Sequence, residues 1–150
     1  MMISVMRMIS FLLLTLFSLS SAAQNTVTGV VFNDMNENGL RDQGEPGIAG
    51  VAVSNGQDVV RTDAAGHYQL AAMDDMIVFV IKPRNWRTPV DANNLPQFFY
   101  RHKPAGSPPN LDFPGVAPTG PVPSSVDFPL MPHPEADDFR ILVFGDPQPY

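Results

Sequence analysis

Five short runs of β-forming residues, separated by strong turn signals, constrain this 150-residue chain most tightly. The runs cover residues 26–32, 51–53, 59–62, 67–70 and 76–81. Between them stand Asn55-Gly56 and residues 63–66, whose residue types tolerate the positive φ of a tight hairpin turn. No segment of useful length shows the apolar period of an amphipathic helix. The sequence therefore predicts an all-β fold, a small antiparallel sandwich of about 60 to 80 residues.

Proline is concentrated in the second half of the chain, where 10 of the 16 prolines fall between Pro104 and Pro134. Proline donates no backbone hydrogen bond and has a fixed φ. We therefore expect residues 104–136 to be an extended linker or a strap over a surface, and not the interior of a sheet. The β-sandwich domain then covers residues 24–103.

An aromatic concentration lies just before the prolines, and its members are Trp86, Phe98, Phe99 and Tyr100. A freely mobile linker has little reason to carry such large apolar side chains. We expect this concentration to pack against another domain of the protein, with stacking on a sugar as the alternative.

The first 23 residues have the features of a secretory signal. Arg7 precedes an apolar run over residues 9–19, and small residues follow it up to Ala23. The run is shorter than the roughly 20 apolar residues that a membrane-spanning helix needs. We expect cleavage after Ala23, a secreted or periplasmic protein, and no stable membrane anchor.

The charge balance and the lack of cysteine exclude several function classes. Cleavage would remove Arg7 and no acidic residue, which changes the net charge from −6 to about −7. Nucleic-acid binders need clustered Lys and Arg, so nucleic acid is excluded as a partner. Without cysteine there is no disulfide scaffold, Cys-ligated zinc site or thiol nucleophile. His102 and His133 have no second ligand at metal spacing, and we expect both to be solvated.

Residues 34–45 match the calcium-loop pattern D-x-[DN]-x-[DN]-G-x5-E at every required position. The candidate ligands are Asp34, Asn36, Asn38, the Leu40 carbonyl, Asp42 (through water) and Glu45. Gly39 permits the sharp turn between them. Because strands and not helices flank the loop, we predict an EF-hand-like structural calcium loop on a β scaffold. A solvated, Asx-rich surface turn is the alternative.

The chain ends with an apolar segment of a different type. Four consecutive apolar residues, 141–144, are typical of a strand buried on both faces. Such a strand needs a sheet to join, since alone it would be an exposed edge. We therefore expect residues 137–150 to begin a second domain, and the chain to be a fragment of a longer protein.

Residues 29–32, 44–51 and 61–68 resemble the prealbumin-like modules of the SdrD B and Cna B type. More narrowly, residues 89–96, 102–108, 115–120 and 144–149 resemble the N-terminal part of bacterial calcineurin-like phosphoesterases. In that family a module of this kind precedes a linker and the catalytic core. The resemblance implies a prealbumin-like sandwich, a Pro-rich strap, and the first strand of an α/β metallophosphoesterase core.

The resemblance also implies two catalytic metal ligands. In that core a first metal motif supplies two ligands two residues apart, and the matching positions here are Asp146 and Gln148. In an extended backbone these side chains point to one side, and Pro147 favours that conformation at Asp146. Gln148 replaces the usual His, a variant of the superfamily. Its neutral oxygen favours manganese, magnesium or iron over zinc.

The function implied is phosphoester hydrolysis at a centre of two divalent metals (Mn, Fe, Mg or Zn). The phosphoester substrate would bind a catalytic domain that this chain lacks, so the fragment alone is expected to be inactive. The sandwich would pack on that domain within the same polypeptide. The alternative function is a non-catalytic, calcium-stabilised module for adhesion, carbohydrate binding or spacing.

Overall fold

The computed structural model describes residues 25–143 and 145, and this part of the chain contains eight strands and no helix. The strands are β1 (Thr26–Asn33), β2 (Ala52–Ser54), β3 (Val59–Arg61), β4 (His67–Ala71), β5 (Met76–Ile81), β6 (Trp86–Arg87), β7 (Phe99–His102) and β8 (Phe128–Pro132). The predicted all-β class is confirmed. Among the described residues, no helix has the length and apolarity needed to cross a bilayer.

The strands form two four-stranded sheets with the orders β4-β1-β8-β6 and β3-β2-β5-β7. Every pairing between strands is antiparallel except that of β1 with β8. Buried apolar side chains from both sheets and from the segments next to them form one core cluster: Val27, Val31, Val51, Val53, Tyr68, Leu70, Met76, Val78, Val80, Val126, Phe128 and Leu130. The two sheets therefore pack face to face around a shared core.

Strand β1 is central because it has partners on both edges. Val27 lies opposite Leu70 in β4, while Val31 lies opposite Phe128 in β8. Residues 29–32 of β1 are all buried, which fits this position, since a strand with neighbours on both edges and a core against it exposes little surface. Residues 34–45, which we call the acidic loop, begin directly after Asn33, so β1 fixes the position of the first residue of the loop.

The expectation that the Pro-rich stretch contributes no sheet is wrong for β8. This strand pairs parallel with β1 and antiparallel with β6. Phe128, Leu130 and Met131 are buried, and burial of such side chains contributes about 1.5–3 kcal/mol each. The hydrogen bonds lost at Pro129 and Pro132 cost about 0.5–1.5 kcal/mol each. The free energy gained by burying these side chains therefore exceeds the cost of the two missing N–H donors.

The Pro-rich stretch crosses β1 just before β8, where Val126 lies against Gly29. The N–H of Val126 donates to the Thr28 carbonyl at 2.8 Å, and the Tyr68 hydroxyl donates to the Val126 carbonyl at 2.6 Å. A Cβ on Gly29 would lie 1.8 Å from that same carbonyl oxygen. Burial raises the pKa of Tyr68, and the negative charge of Asp127 adds to the shift. Only glycine leaves room for the strap at this point.

His102 is buried, contrary to the expectation of a solvated side chain. It lies in β7 opposite Met76 of β5, with its ring stacked on Tyr100 at a centroid distance of 6.3 Å. The short run of β7 was not predicted as a strand, so the predicted environment of this histidine was wrong.

Residues 139–143 form no strand, and their apolar side chains are 70–87% exposed. The doubly buried strand predicted here is therefore not formed in the described part of the chain. Neither of the two sheets there includes residues 139–143. The predicted signal segment, residues 1–23, lies outside the described residues.

Candidate functional site

The acidic loop is held between strands at its two ends. Asn33, the last residue of β1, donates its N–H to the Pro46 carbonyl at 2.9 Å, and the next N–H, of Asp34, donates to the Leu130 carbonyl at 3.0 Å. Asp34 is only 1% exposed and Glu45 only 6%. The first and last acidic residues of the pattern are therefore buried carboxylates at the base of the loop.

Backbone N–H groups of the loop donate to both buried carboxylates. Asp34 accepts from Asn38 at 3.2 Å and from Gly39 at 2.8 Å, one bond to each carboxylate oxygen. Glu45 likewise accepts from Met35 and Asp42, at 2.9 Å each. A buried charge without such partners would strongly destabilise the fold. These bonds also fix the path of the loop around the two carboxylates.

Asp42 connects the remaining candidate ligands. One oxygen of its carboxylate accepts from the side-chain amides of Asn36 at 2.7 Å and Asn38 at 2.8 Å. These two bonds lower the pKa of Asp42 below its usual value. The amide oxygen of Asn38 in turn accepts the N–H of Leu40 at 2.7 Å. All six predicted positions therefore belong to one hydrogen-bonded loop.

The donor chemistry of this loop fits a hard cation. Three carboxylates, two amide groups and a backbone carbonyl offer only oxygen ligands, which calcium prefers. Each Asn amide carries an acceptor oxygen besides its donor nitrogen. Gly39 has a φ of +77°, so the turn has the conformation that favours glycine. Within residues 25–143 and 145, no three His, Cys, Asp or Glu side chains are grouped to hold a metal. A calcium ion here would therefore depend on the Asn and carbonyl oxygens as well.

An ion pair fastens the tip of the loop to the first sheet. Glu37 accepts from the guanidinium of Arg87 in β6 at 2.7 Å. Glu37 is exposed and Arg87 is half-buried at the surface, so this pair contributes only about 0–1 kcal/mol. Its significance is positional, because it joins the loop to the edge strand of the sheet that contains β1.

The predicted aromatic concentration divides into two parts. Trp86 and Tyr100 are partly buried against the shared core. Phe98 and Phe99 are exposed and contact each other edge to face at a centroid distance of 5.4 Å. The four side chains therefore do not form one surface, and only the two phenylalanines are available to a partner.

One surface feature of β5 was not predicted from the sequence. Ile77, Phe79 and Ile81 alternate with the core side chains and point away from the core. The available signal was the run of six consecutive apolar residues, 76–81, because a strand with one solvated face would alternate apolar and polar residues. Asp146 and Gln148, the predicted catalytic ligands, lie outside the described residues.

Comparison with known protein families identifies the module. A family model described as the N terminal of calcineurin-like phosphoesterase matches residues 35–117, more than half of the chain. The matched range contains most of the acidic loop and all strands from β2 to β7. No curated protein matches the chain.

Proposed function

The chain belongs to the family of N-terminal domains of calcineurin-like phosphoesterases, and we propose that it is the N-terminal part of an exported metallophosphoesterase. The observation that carries this proposal is the family match over residues 35–117. The family is one of hydrolases, and the substrate of the full-length enzyme would be a phosphoester. The domain described here would be its non-catalytic part.

We assign the first metal ligands of the catalytic core to Asp146 and Gln148. When bound, two divalent cations would supply an activated water and neutralise the charge of the phosphoryl group. Asp146 would contribute an anionic ligand oxygen and Gln148 a neutral amide oxygen. A neutral hard donor suits manganese, magnesium or iron better than zinc.

The acidic loop would bind a structural calcium ion. Its support is that Asp34, Asp42, Glu45 and two Asn side chains belong to one hydrogen-bonded loop that offers only oxygen ligands. A small cysteine-free domain has no disulfides, and metal binding to the folded state adds directly to its stability. The ion would not take part in the hydrolysis.

The same network also supports the alternative function, a calcium-stabilised module that binds or spaces without catalysis. The two proposals differ in whether the full-length protein has enzymatic activity. Export is common to both, and depends on residues 1–23 acting as a cleaved signal.

Hydrolysis by the full-length protein tests the proposed function. We expect it to release nitrophenol from aryl phosphate mono- or diesters in the presence of Mn²⁺. A chelator should abolish the activity, and Mn²⁺ should restore it, whereas Ca²⁺ should not. Full-length, Mn²⁺-loaded protein that hydrolyses neither class of ester would contradict the phosphoesterase proposal and leave the calcium-stabilised module.

A further inference from the structure

Strand β5 is apolar on both faces. Met76, Val78 and Val80 point into the core and are buried. Ile77 and Ile81 point outward and are 47% and 46% exposed. Strands of an antiparallel sheet with one solvated face normally alternate apolar and polar residues. The outer face of β5 therefore has the composition of a surface that is covered in the complete protein.

Neighbouring strands extend this apolar surface across the second sheet. Phe79 of β5 lies opposite Phe99 of β7 on one side and Ser54 of β2 on the other. Ser54 lies in turn opposite Val59 of β3. We call the resulting surface the outer apolar face, and it consists of Val59, Ile77, Phe79, Ile81, Phe98 and Phe99. Four of these side chains, Ile77, Phe79, Phe98 and Phe99, line an open groove of about 710 Å³. Contiguous exposed apolar surface of this kind marks an interaction site.

Two of the polar side chains that line the groove, Asn55 and Asp75, are engaged within the domain, whereas Gln57 is exposed. The Asn55 amide donates to the Ala71 carbonyl at 3.0 Å and accepts from the N–H groups of Gln57 and Asp58. Asp75 forms an ion pair with Lys103. A polar ligand such as a sugar needs free donors and acceptors at fixed positions. The groove offers a sugar only Gln57, and its apolar side chains, among them Ile77, Phe98 and Phe99, fit an apolar protein surface better.

The chain leaves the sandwich beside this face. Lys82, the residue after Ile81, pairs with Glu135, and Arg84 pairs with Asp137. Asn85 adds two bonds to Glu135, since its N–H donates to the carboxylate at 3.2 Å and its amide oxygen accepts the Glu135 N–H at 3.1 Å. The segment that follows β8 is thus fastened to the end of β5.

We propose that the outer apolar face is the docking surface for the second domain of the same polypeptide, whose start is predicted within residues 137–150. The next residues along the chain, 139–143, carry four highly exposed apolar side chains. The fastened segment therefore connects the end of β5, where Ile81 belongs to the outer apolar face, to a second set of exposed apolar side chains. The short connection through Asp137 and Asp138 favours contact within one chain over contact between copies, because tethering raises the effective concentration. This inference rests on the proposed function for the nature of the docked domain.

Side-chain footprinting of the full-length protein with hydroxyl radicals tests the docking. Phe113 is 81% exposed in the Pro-rich stretch and serves as an internal reference. Phe99 is 49% exposed in the structure. Burial to the level of a core residue, about 5% exposure, would lower its reactivity with hydroxyl radicals in proportion, about tenfold. We expect that loss for Phe99 relative to Phe113, unchanged on dilution. Reactivity in proportion to the two exposures would overturn the proposal, and so would protection that disappears on dilution, which indicates a second copy.

A double variant, Ile77→Thr with Phe99→Thr, tests the same face by weakening it. Both side chains are exposed and threonine suits a strand, so the sandwich should fold normally. In the full-length protein we expect faster proteolytic cleavage within residues 137–145 than in the matched variant Phe113→Thr. Equal cleavage rates would contradict the docking.

The two proposals fail separately. Mn²⁺-dependent hydrolysis by a protein whose Phe99 is unprotected would refute the docking alone. A protected Phe99 in a protein without hydrolase activity would refute the phosphoesterase and keep the docking to a downstream domain.

Discussion

The buried carboxylate of Asp34 accepts the backbone N–H of Gly39 at 2.8 Å, five residues along the chain. Gly39 has a positive φ, so the bond closes a turn around the carboxylate. The loop is therefore held in one conformation by the fold itself. A preformed loop loses less conformational entropy on binding an ion, which favours affinity.

Calcium should stabilise the sandwich. Extracellular calcium modules bind at about 10⁻⁴ to 10⁻³ M, so millimolar Ca²⁺ should add about 1 kcal/mol or somewhat more to the free energy of unfolding. For a domain of this size that corresponds to a rise of about 4–8 °C in Tm. Thermal melts of the chain with Ca²⁺ and with chelator measure the difference.

The double variant Asp34→Ala with Glu45→Ala should lose that Ca²⁺-dependent rise. Its Tm without calcium also falls, because both carboxylates bind loop N–H groups. The informative quantity is therefore the shift between the two conditions. Asp112→Ala, in the Pro-rich stretch, is the matched control and should keep the full shift. Identical melting curves of the unaltered chain in Ca²⁺ and chelator would leave a solvated turn.

The hydroxyl of Tyr68 should make the fold sensitive to alkali. Burial raises its pKa in the folded state above the unfolded value of about 10. A raised pKa contributes stability that is present below pH 10 and is lost as the pH rises above it. We expect the midpoint of urea unfolding to fall above pH 10, and to fall less in Tyr68→Phe. Tyr100→Phe serves as the control, and equal pH dependence in both variants would contradict this role.

Gly29→Ala should destabilise the sandwich, because the new methyl group would displace the backbone at Val126. We expect a loss of about 3 kcal/mol, the upper end of the range for overpacking. Gly120 has a positive φ of 71° but open space around it. Gly120→Ala should therefore cost only about 1–2 kcal/mol, from the backbone conformation alone. Urea unfolding of both variants gives the two free energies. A Gly29→Ala variant no less stable than Gly120→Ala would refute the close approach.

Export should remove the first 23 residues. Mass spectrometry of the protein recovered outside the cytoplasm should find a new N-terminus at Gln24. A mature protein that still carries Met1 would exclude a cleaved signal.

Local sequence patterns predicted β1 to β5 to within about one residue at most ends, because alternation and turn chemistry act over short distances. They missed β6, β7 and β8 for a related reason. β6 has two residues and β8 contains Pro129 and Pro132, so neither has a local strand pattern. β8 forms because it pairs with one edge of β1, a strand about a hundred residues earlier in the chain, and buries its apolar side chains in the core. Pairing over that distance leaves no signal in a short window.

The sequence predicted the positions of the candidate calcium ligands, but not the contacts that join the acidic loop to the rest of the domain. The spacing of Asp34, Asp42 and Glu45 places them in one network, because it is the spacing that calcium coordination requires. The pair between Glu37 and Arg87 joins elements 50 residues apart and has no counterpart in the pattern. The division into residues 1–23, 24–103, 104–136 and 137–150 stays a prediction, as do Asp146 and Gln148 as ligands.

Gln148→His in the full-length protein should retain hydrolysis and change which metal supports it best. Imidazole is a good zinc ligand, so activity with Zn²⁺ should rise relative to activity with Mn²⁺. Steady-state rates with each metal in turn measure the ratio. An unchanged metal preference would argue against Gln148 as a ligand.

The most direct measurement is the Mn²⁺-dependent rate of aryl phosphate hydrolysis by full-length Asp146→Ala, with Asp138→Ala as the control. Substitutions next to metal ligands already cost about 10- to 100-fold, so loss of an anionic ligand should lower the rate by more than about 100-fold. The Tm of the sandwich should stay unchanged in both variants, and Asp138→Ala should remain active. A near-normal rate for Asp146→Ala at saturating Mn²⁺ would contradict the assignment of Asp146 to the catalytic metal centre.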